Sequence, residues 1–285
     1  MSAPTRVGSR VRVLQDADLP EVVRILSLDP VTNVFVSSRV RTGGVSEFTL
    51  GCPLWGWEVD GRLRSLLHVG SNLVPVNADP EAVAGFVEHL GRFRRCSSVV
   101  GPAEVVLALW QGLSRRWGSA WADVRELRSS QPVLAMEADP VVAGDPRVQQ
   151  VGEEHWDAYV EASTRMYTEE VGVAPSPGNP TSYRMHVLGL IRAGRAFGIV
   201  EDGRVLYKAD LGSVSGPVSQ VQGVWVDPAL RGRGLAVPAM AATVRLARRT
   251  TPTVTLYVND FNTAARRTYE RVGFQQVGEF ATVLY

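Results

Sequence analysis

The sequence predicts a two-domain α/β chain of the α+β kind, and three observations predict it. Its 285 residues are about twice the length of an ordinary domain. A strand, a helix, a long insertion and an Asp-Gly-Arg hairpin occur in that order in each half. In the second half alone, a strand, a glycine-rich turn and a helix then follow one another around residues 221–249. Hydrophobic residues make up 45% and charged residues 21% of the chain, ordinary globular usage that excludes fibrous and disordered classes.

In the first half Val11, Val13 and Leu14 read as a strand, and after Asp16 the residues Leu19, Val22, Val23, Ile25 and Leu26 fall at helical spacing. Residues 54–59 and 63–69 read as a hairpin about Asp60-Gly61, because Asp-Gly accepts the positive φ angles of a tight turn. Helices are expected over 80–94 and 102–117. Two prolines and a glycine in 138–147 mark a boundary, giving an N-terminal domain over 1–139 and a C-terminal domain over 147–285. The second half reads as a strand over 148–151, a helix over 155–167, a Pro/Gly-rich loop over 168–179 and a helix over 181–193. A second hairpin follows, 197–200 and 205–211 about Asp202-Gly203. An internal duplication and two independent Asp-Gly hairpins both account for the repeated order.

A net charge of +1 removes the broad attraction to phosphate backbones, so nucleic acid is not an expected partner. The cluster Arg92, Arg94, Arg95, Arg115, Arg116, Arg125 and Arg128 either keeps a helix face wet or meets an acidic partner. Lys208 is the only lysine, in keeping with a GC-rich genome. Two distant cysteines, Cys52 and Cys96, argue against a disulfide framework and against a zinc site. Residues 1–12 lack the apolar core of a signal peptide, and no stretch stays apolar long enough to span a bilayer. A soluble, cytoplasmic protein with no membrane partner is expected, as monomer or homodimer.

The chemistry gathers near the end. The apolar run 221–226, containing Gly223, stops at Asp227-Pro228 and is followed by Arg231-Gly232-Arg233-Gly234-Leu235-Ala236 and a helix over 237–249. A helix start offers unpaired N–H groups and the positive end of the macrodipole, and glycine lets an anion approach the backbone, so a pyrophosphate would fit here; an ordinary turn with two glycines accounts for this stretch equally well when it is taken alone. The turn lacks the Lys-Ser/Thr of a Walker loop. It also lacks the third glycine and downstream acid of the dinucleotide fingerprint. A strand over 253–258 then leads to Asn262, a helix cap, and Gly273, a helix stop.

From about residue 148 onward the chain resembles the GCN5-related N-acetyltransferase (GNAT) family. Arg231-x-x-Gly234-x-Ala236 resembles that family's pyrophosphate loop, and Asn262-x-Ala264-Ala265 through Tyr269 to Gly273-Phe274 resembles its Asn…Ala…Tyr…Gly-Phe helix. The whole chain is similar to two-domain actinobacterial members, with a degenerate first domain that shows no counterpart of 231–236. The resemblance implies tandem GNAT-like domains, each a mixed, mostly antiparallel sheet flanked by helices. It implies a sheet splayed between the strands ending at Val226 and Val258, with Gly223 marking the bulge that opens it. Acetyl-CoA or another short acyl-CoA is the implied co-substrate, with no metal, held by Val224, Trp225, Val226, Arg231, Gly232, Arg233, Gly234, Leu235, Ala236, Asn262 and Ala265. It further implies direct attack of an amine, borne by a small molecule or a protein, on the thioester. A backbone N–H near Val226 would stabilise the oxyanion and Tyr269 would protonate the thiolate; the alternative for Tyr269 is a tyrosine half-buried against the sheet.

A protonated amine must lose a proton before it attacks, with a lysine-like value near 10.4. Relatives place a glutamate on the oxyanion strand; here Gln220 and Gln222 stand there, neither a base. Glu169 and Glu170 on the expected loop are the substitutes, ahead of the Tyr285 carboxylate, and a surface role for both glutamates stays open. Two other functions fit the same motifs, a non-catalytic acyl-CoA sensor and an aminoacyl-tRNA-dependent transferase. The paired Asn262 and Tyr269 disfavour the first, and the near-neutral charge disfavours the second.

Overall fold

The computed structural model describes residues 8–175 and 179–285. Residues 1–7 of the expected first domain and 176–178 of the expected loop lie outside the described residues. In chain order the elements are β1 (Arg10–Val13), α1 (Leu19–Leu26), α2 (Val34–Gly43), α3 (Glu47–Leu50), β2 (Leu54–Val59), β3 (Arg62–Val69), β4 (Asn72–Val76), α4 (Pro80–Leu90), β5 (Ser98–Pro102), α5 (Ala103–Trp117), α6 (Ser119–Ala122) and β6 (Glu126–Met136). They continue with β7 (Gln149–Gln150), α7 (Trp156–Val171), α8 (Pro180–Arg192), β8 (Ala196–Glu201), β9 (Arg204–Ser215), β10 (Val218–Val226), α9 (Ala236–Ala247), β11 (Thr253–Tyr257), α10 (Thr263–Val272) and β12 (Gln275–Leu284). Among the described residues no helix is long and apolar enough to cross a membrane.

The chain folds into two compact units that are not contiguous stretches. The first comprises Met1–Val133, Tyr257–Phe261 and Val277–Tyr285; the second comprises Leu134–Leu256 and Asn262–Gln276. In the first unit β1, β2, β3 and β4 pair antiparallel in that order, β4 and β5 pair parallel, and β12 adds antiparallel to β5 from Phe280↔Pro102 to Leu284↔Ser98. Alternating residues of the strands meet α4 and α5 in a core of Leu67, Phe86, Val106, Leu109, Leu113 and Trp121, with Ala281 and Val283 from β12. In the second unit β7, β8, β9 and β10 likewise pair antiparallel and β10 and β11 pair parallel. The repeated order in the sequence is thus a repeated topology. Both Asp-Gly pairs adopt positive φ at both residues, 51° and 73° in one hairpin and 49° and 73° in the other.

Element ends differ from expectation where a glycine or a cap decides. Helix α4 ends at Leu90 rather than residue 94 because Gly91 leaves the helix at φ 72° and ψ −172°, a conformation that only glycine enters freely. Helix α7 runs into the expected loop as far as Val171, where Gly172 at φ 80° closes it by donating to the Thr168 carbonyl. Asn179 starts α8 by accepting the Ser182 N–H, with Pro180 in the first turn.

Candidate functional site

The second unit contains the site residues, and β10 organises them. Its parallel pairing with β11 covers only Val218↔Thr253 to Gln220↔Thr255, although β10 continues to Val226. On the other edge β10 stays paired with β9, from Val218↔Ser215 to Val226↔Tyr207. Beyond Gln220 the strand therefore has a ladder on one side only, as the expected splay requires. Between Gln222↔Asp210 and Trp225↔Lys208 the register slips, so Gly223 and Val224 together face Ala209. Gly223 sits at φ 61°, so this is a bulge that glycine permits. Strand amides alternate between edges. Asp227 N–H donates to Leu206 O at 2.9 Å, toward β9, so Val226, one residue earlier, turns its N–H toward the edge without a ladder.

After β10, Asp227 caps a short 3₁₀ turn by accepting the Ala229 N–H at 2.9 Å. That amide, with the Arg204 guanidinium, holds its carboxyl below the usual range. Residues 231–234 then turn back to α9 with Gly232 and Gly234 at φ 76° and 81°. A Cβ added at either glycine would meet nothing within 4 Å, so these glycines serve backbone shape and leave the turn open. No side chain caps the start of α9 at Leu235, and its first-turn amides are left for a ligand. The turn is therefore open to an anion. In the first unit the corresponding link, β4 to α4, has no such opening: the Asp79 carboxylate accepts the Ala82 N–H at 2.8 Å and puts a negative charge at the helix start.

Tyr269 lies on α10, 7% exposed, its ring edge-on to Phe274 at 5.9 Å. Burial, then the charge of Glu170, push its phenol well above the ordinary range. Asn262 and Ala265 meet each other, since the Asn262 side chain accepts the Ala265 N–H at 3.1 Å. That amide is engaged in capping α10, which leaves Ala265 its small side chain to offer. The Trp225 side chain is 5% exposed and packs with Tyr159 and Val160 of α7, so what it presents to the open edge is backbone.

Glu169 and Glu170 stand in the last turn of α7 rather than on a loop, because Gly172 stops that helix later than the polar run suggested. Glu169 is tied down. One oxygen accepts the Trp225 indole N–H at 3.3 Å and the other lies 2.5 Å from Arg231, whose Nε donates to Val226 O at 3.0 Å. Glu170 bears electrostatically on both Tyr269 and Tyr183. Tyr285 belongs to the first unit, where its ring meets Trp121 and stacks under Arg94.

A cluster that the motifs did not point to lies under the bulge. Lys208 is fully buried and its Nζ donates to Asp210 Oδ2 at 2.6 Å and to Gly223 O at 3.0 Å, while Asp210 Oδ1 accepts the Tyr159 O–H at 2.7 Å. The signal available was Lys208 and Asp210 two apart, hence on one face, inside the apolar run 205–211.

The acetyltransferase (GNAT) family model matches residues 148–274, and the model of a domain of unknown function, DUF4081, matches residues 52–159. No curated protein matches the sequence. Among solved structures, a GNAT-family acetyltransferase from Colwellia psychrerythraea superposes with TM-score 0.58 at 14% identity, over 97% of this chain and 99% of that one. A GCN5-related N-acetyltransferase from Sphaerobacter thermophilus gives TM-score 0.58 at 17% identity over 99% and 96%. A tandem GNAT protein from the clavulanic acid biosynthesis pathway gives 0.58 at 14% over 96% and 98%. At these identities the likeness is one of fold.

Proposed function

We propose that the chain is a two-domain protein of the GNAT family, whose model matches residues 148–274, and that it moves an acetyl or other short acyl group from acyl-CoA to an amine. One observation carries the reading: an open glycine turn and an uncapped helix start follow directly on a strand whose last residues have lost one neighbour. Acyl-CoA supplies the activated thioester. The amides of 234–237 and the side chains of Arg231 and Arg233 hold its diphosphate. Val224 and Val226 offer backbone groups along the open edge, and the Val226 N–H donates to the oxyanion that develops at the carbonyl. Tyr269 gives its proton to the departing sulfur.

Glu170 is assigned as the base that takes the proton from the amine, because it stands in the last turn of α7 and its charge bears on Tyr269. Glu169 is assigned instead to hold Arg231 beside the turn. The acceptor is an amine of a small molecule or a protein, and the chain works without a metal.

Acyl-CoA turnover screened against an amine library tests the activity. The site is tested separately by Gly234→Asp, which sets a side chain and a negative charge in the path of the diphosphate. Calorimetry is expected to show coenzyme A affinity reduced by at least about tenfold. Undiminished affinity would remove the assignment of the turn.

A further inference from the structure

The Lys208–Asp210 pair has no part in the reaction just described, yet its placement is costly. Two ions taken from water into a sheet interior are seldom better for stability than an apolar pair of the same size. Lys208 is 0% exposed and Asp210 5%. Every proton of the ammonium has a direction: Asp210 Oδ2 at 2.6 Å, Gly223 O at 3.0 Å and the Met166 sulfur at 3.9 Å, with the Tyr159 ring face at 5.1 Å. The remaining Asp210 oxygen is taken by the Tyr159 hydroxyl. So complete a set of partners fixes where the ammonium sits.

Three further facts tie that position to the bulge. Gly223 falls in the stretch of β10 where the ladder slips, and its carbonyl takes the ammonium as donor. A Cβ on Gly223 would lie 2.8 Å from Asp210 Oδ2 and 3.0 Å from Lys208 Nζ, so the pair is packed directly against the bulged residue. Finally, this chain holds thirty basic Lys and Arg residues and writes all but Lys208 as arginine. An arginine at 208 would bring a planar fork where a compact point charge with tetrahedral donors is needed.

We propose that Lys208 and Asp210 are positioning residues that clamp the Gly223 carbonyl and so fix the β10 bulge and the direction of the Val224–Val226 edge. Asp210 aims the lysine, Tyr159 aims Asp210, and Lys208 holds the strand. What that edge does for a thioester rests on the function proposed above; the clamp itself is a property of β10. Loss of the clamp lets the edge shift, and a misplacement of about 1 Å is enough to cost on the order of 10²-fold in rate.

The test uses the full chain with Lys208→Met, Lys208→Arg, Asp210→Asn and the double variant Lys208→Met/Asp210→Leu, which leaves no orphaned charge if a single variant fails to fold. Amide exchange by mass spectrometry is read over 218–227, with β8 as the internal reference, beside steady-state turnover and calorimetric coenzyme A affinity. In the folded double variant, exchange at 221–226 is expected to rise at least about tenfold while β8 changes little. Turnover is expected to fall about 10- to 100-fold with coenzyme A affinity kept within about threefold, since the glycine turn is untouched. Lys208→Arg is expected to behave like Lys208→Met. Unchanged exchange at 221–226, or full activity in Lys208→Arg, overturns the clamp. Loss of turnover in Asp210→Asn but not in Lys208→Met also overturns it, because Asp210 would then act on the substrate itself. If the wild type transfers no acyl group to any amine, the proposed function falls, and the exchange measurement still decides the clamp.

Discussion

At the scale of single residues, Tyr269 shows how environment sets a role. A phenol titrates near 10 in water, but here burial and the nearby Glu170 charge favour its neutral form. A general acid, the role proposed for Tyr269, must keep its proton at working pH, and burial favours that here. The alkaline limb expected of an exposed phenol should therefore be absent up to about pH 10, and a fall in kcat centred at or below pH 9 would remove Tyr269 as its source. Tyr269→Phe keeps the ring against Phe274 and removes only the hydroxyl. Its turnover should drop roughly 10²-fold with coenzyme A affinity unchanged, bounded because a thiolate with a thiol pKa near 8.5 can leave partly unaided. Turnover within twofold of wild type would make it a packing residue. Glu170→Gln should lower kcat by about 10²-fold, and should do so least at high pH, where the free amine is already abundant; an equal loss at every pH would point to binding instead.

At the scale of elements, two glycines with similar backbone angles should behave differently. Gly223 and Gly232 both have positive φ, 61° and 76°, and alanine at either meets a backbone cost of about 1–2 kcal/mol. Only Gly223 is also crowded, by Asp210 and Lys208, and overpacking adds roughly 1–3 kcal/mol. Thermal melts should therefore rank Gly223→Ala well below Gly232→Ala, and equal midpoints would mean that the bulge has room to yield. The same comparison explains what could be read from the sequence. Asp60-Gly61, Asp202-Gly203, the 231–236 turn and the Asn262 to Gly273 helix were legible because each is decided by local backbone chemistry. The true end of α7, and with it the setting of Glu169 and Glu170, depended on which of several polar residues yields to Gly172. The Lys208 cluster was visible only as two charges in an apolar run, since its partners Tyr159 and Gly223 lie 49 and 15 residues away in sequence.

At the scale of the whole molecule, the least legible feature is the membership of β12. Periodicity can mark 275–284 as a strand but not choose its neighbour, and linear order suggests the unit to which the preceding helix belongs. Its residues from Val277 onward belong to the first unit and cover β5 there. A fragment of residues 1–139 would hold β1 to β6 yet leave one edge of β5 bare, would open the core where Val283 is buried, and would lose the buried Phe280 with it. Each large apolar side chain contributes about 1.5–3 kcal/mol on burial, so these two together weigh about 3–6 kcal/mol, a large share of the roughly 5–15 kcal/mol that holds an average domain folded. The lost ladder of five residue pairs adds to that, and a bare central strand invites pairing between copies. The 1–139 fragment should therefore lack a cooperative thermal transition and tend to aggregate. The same fragment with 277–285 joined through a flexible linker should recover a cooperative melt by far-UV circular dichroism. A cooperative melt of 1–139 alone, at the midpoint of the tethered form, would show that β12 is dispensable to the unit it covers.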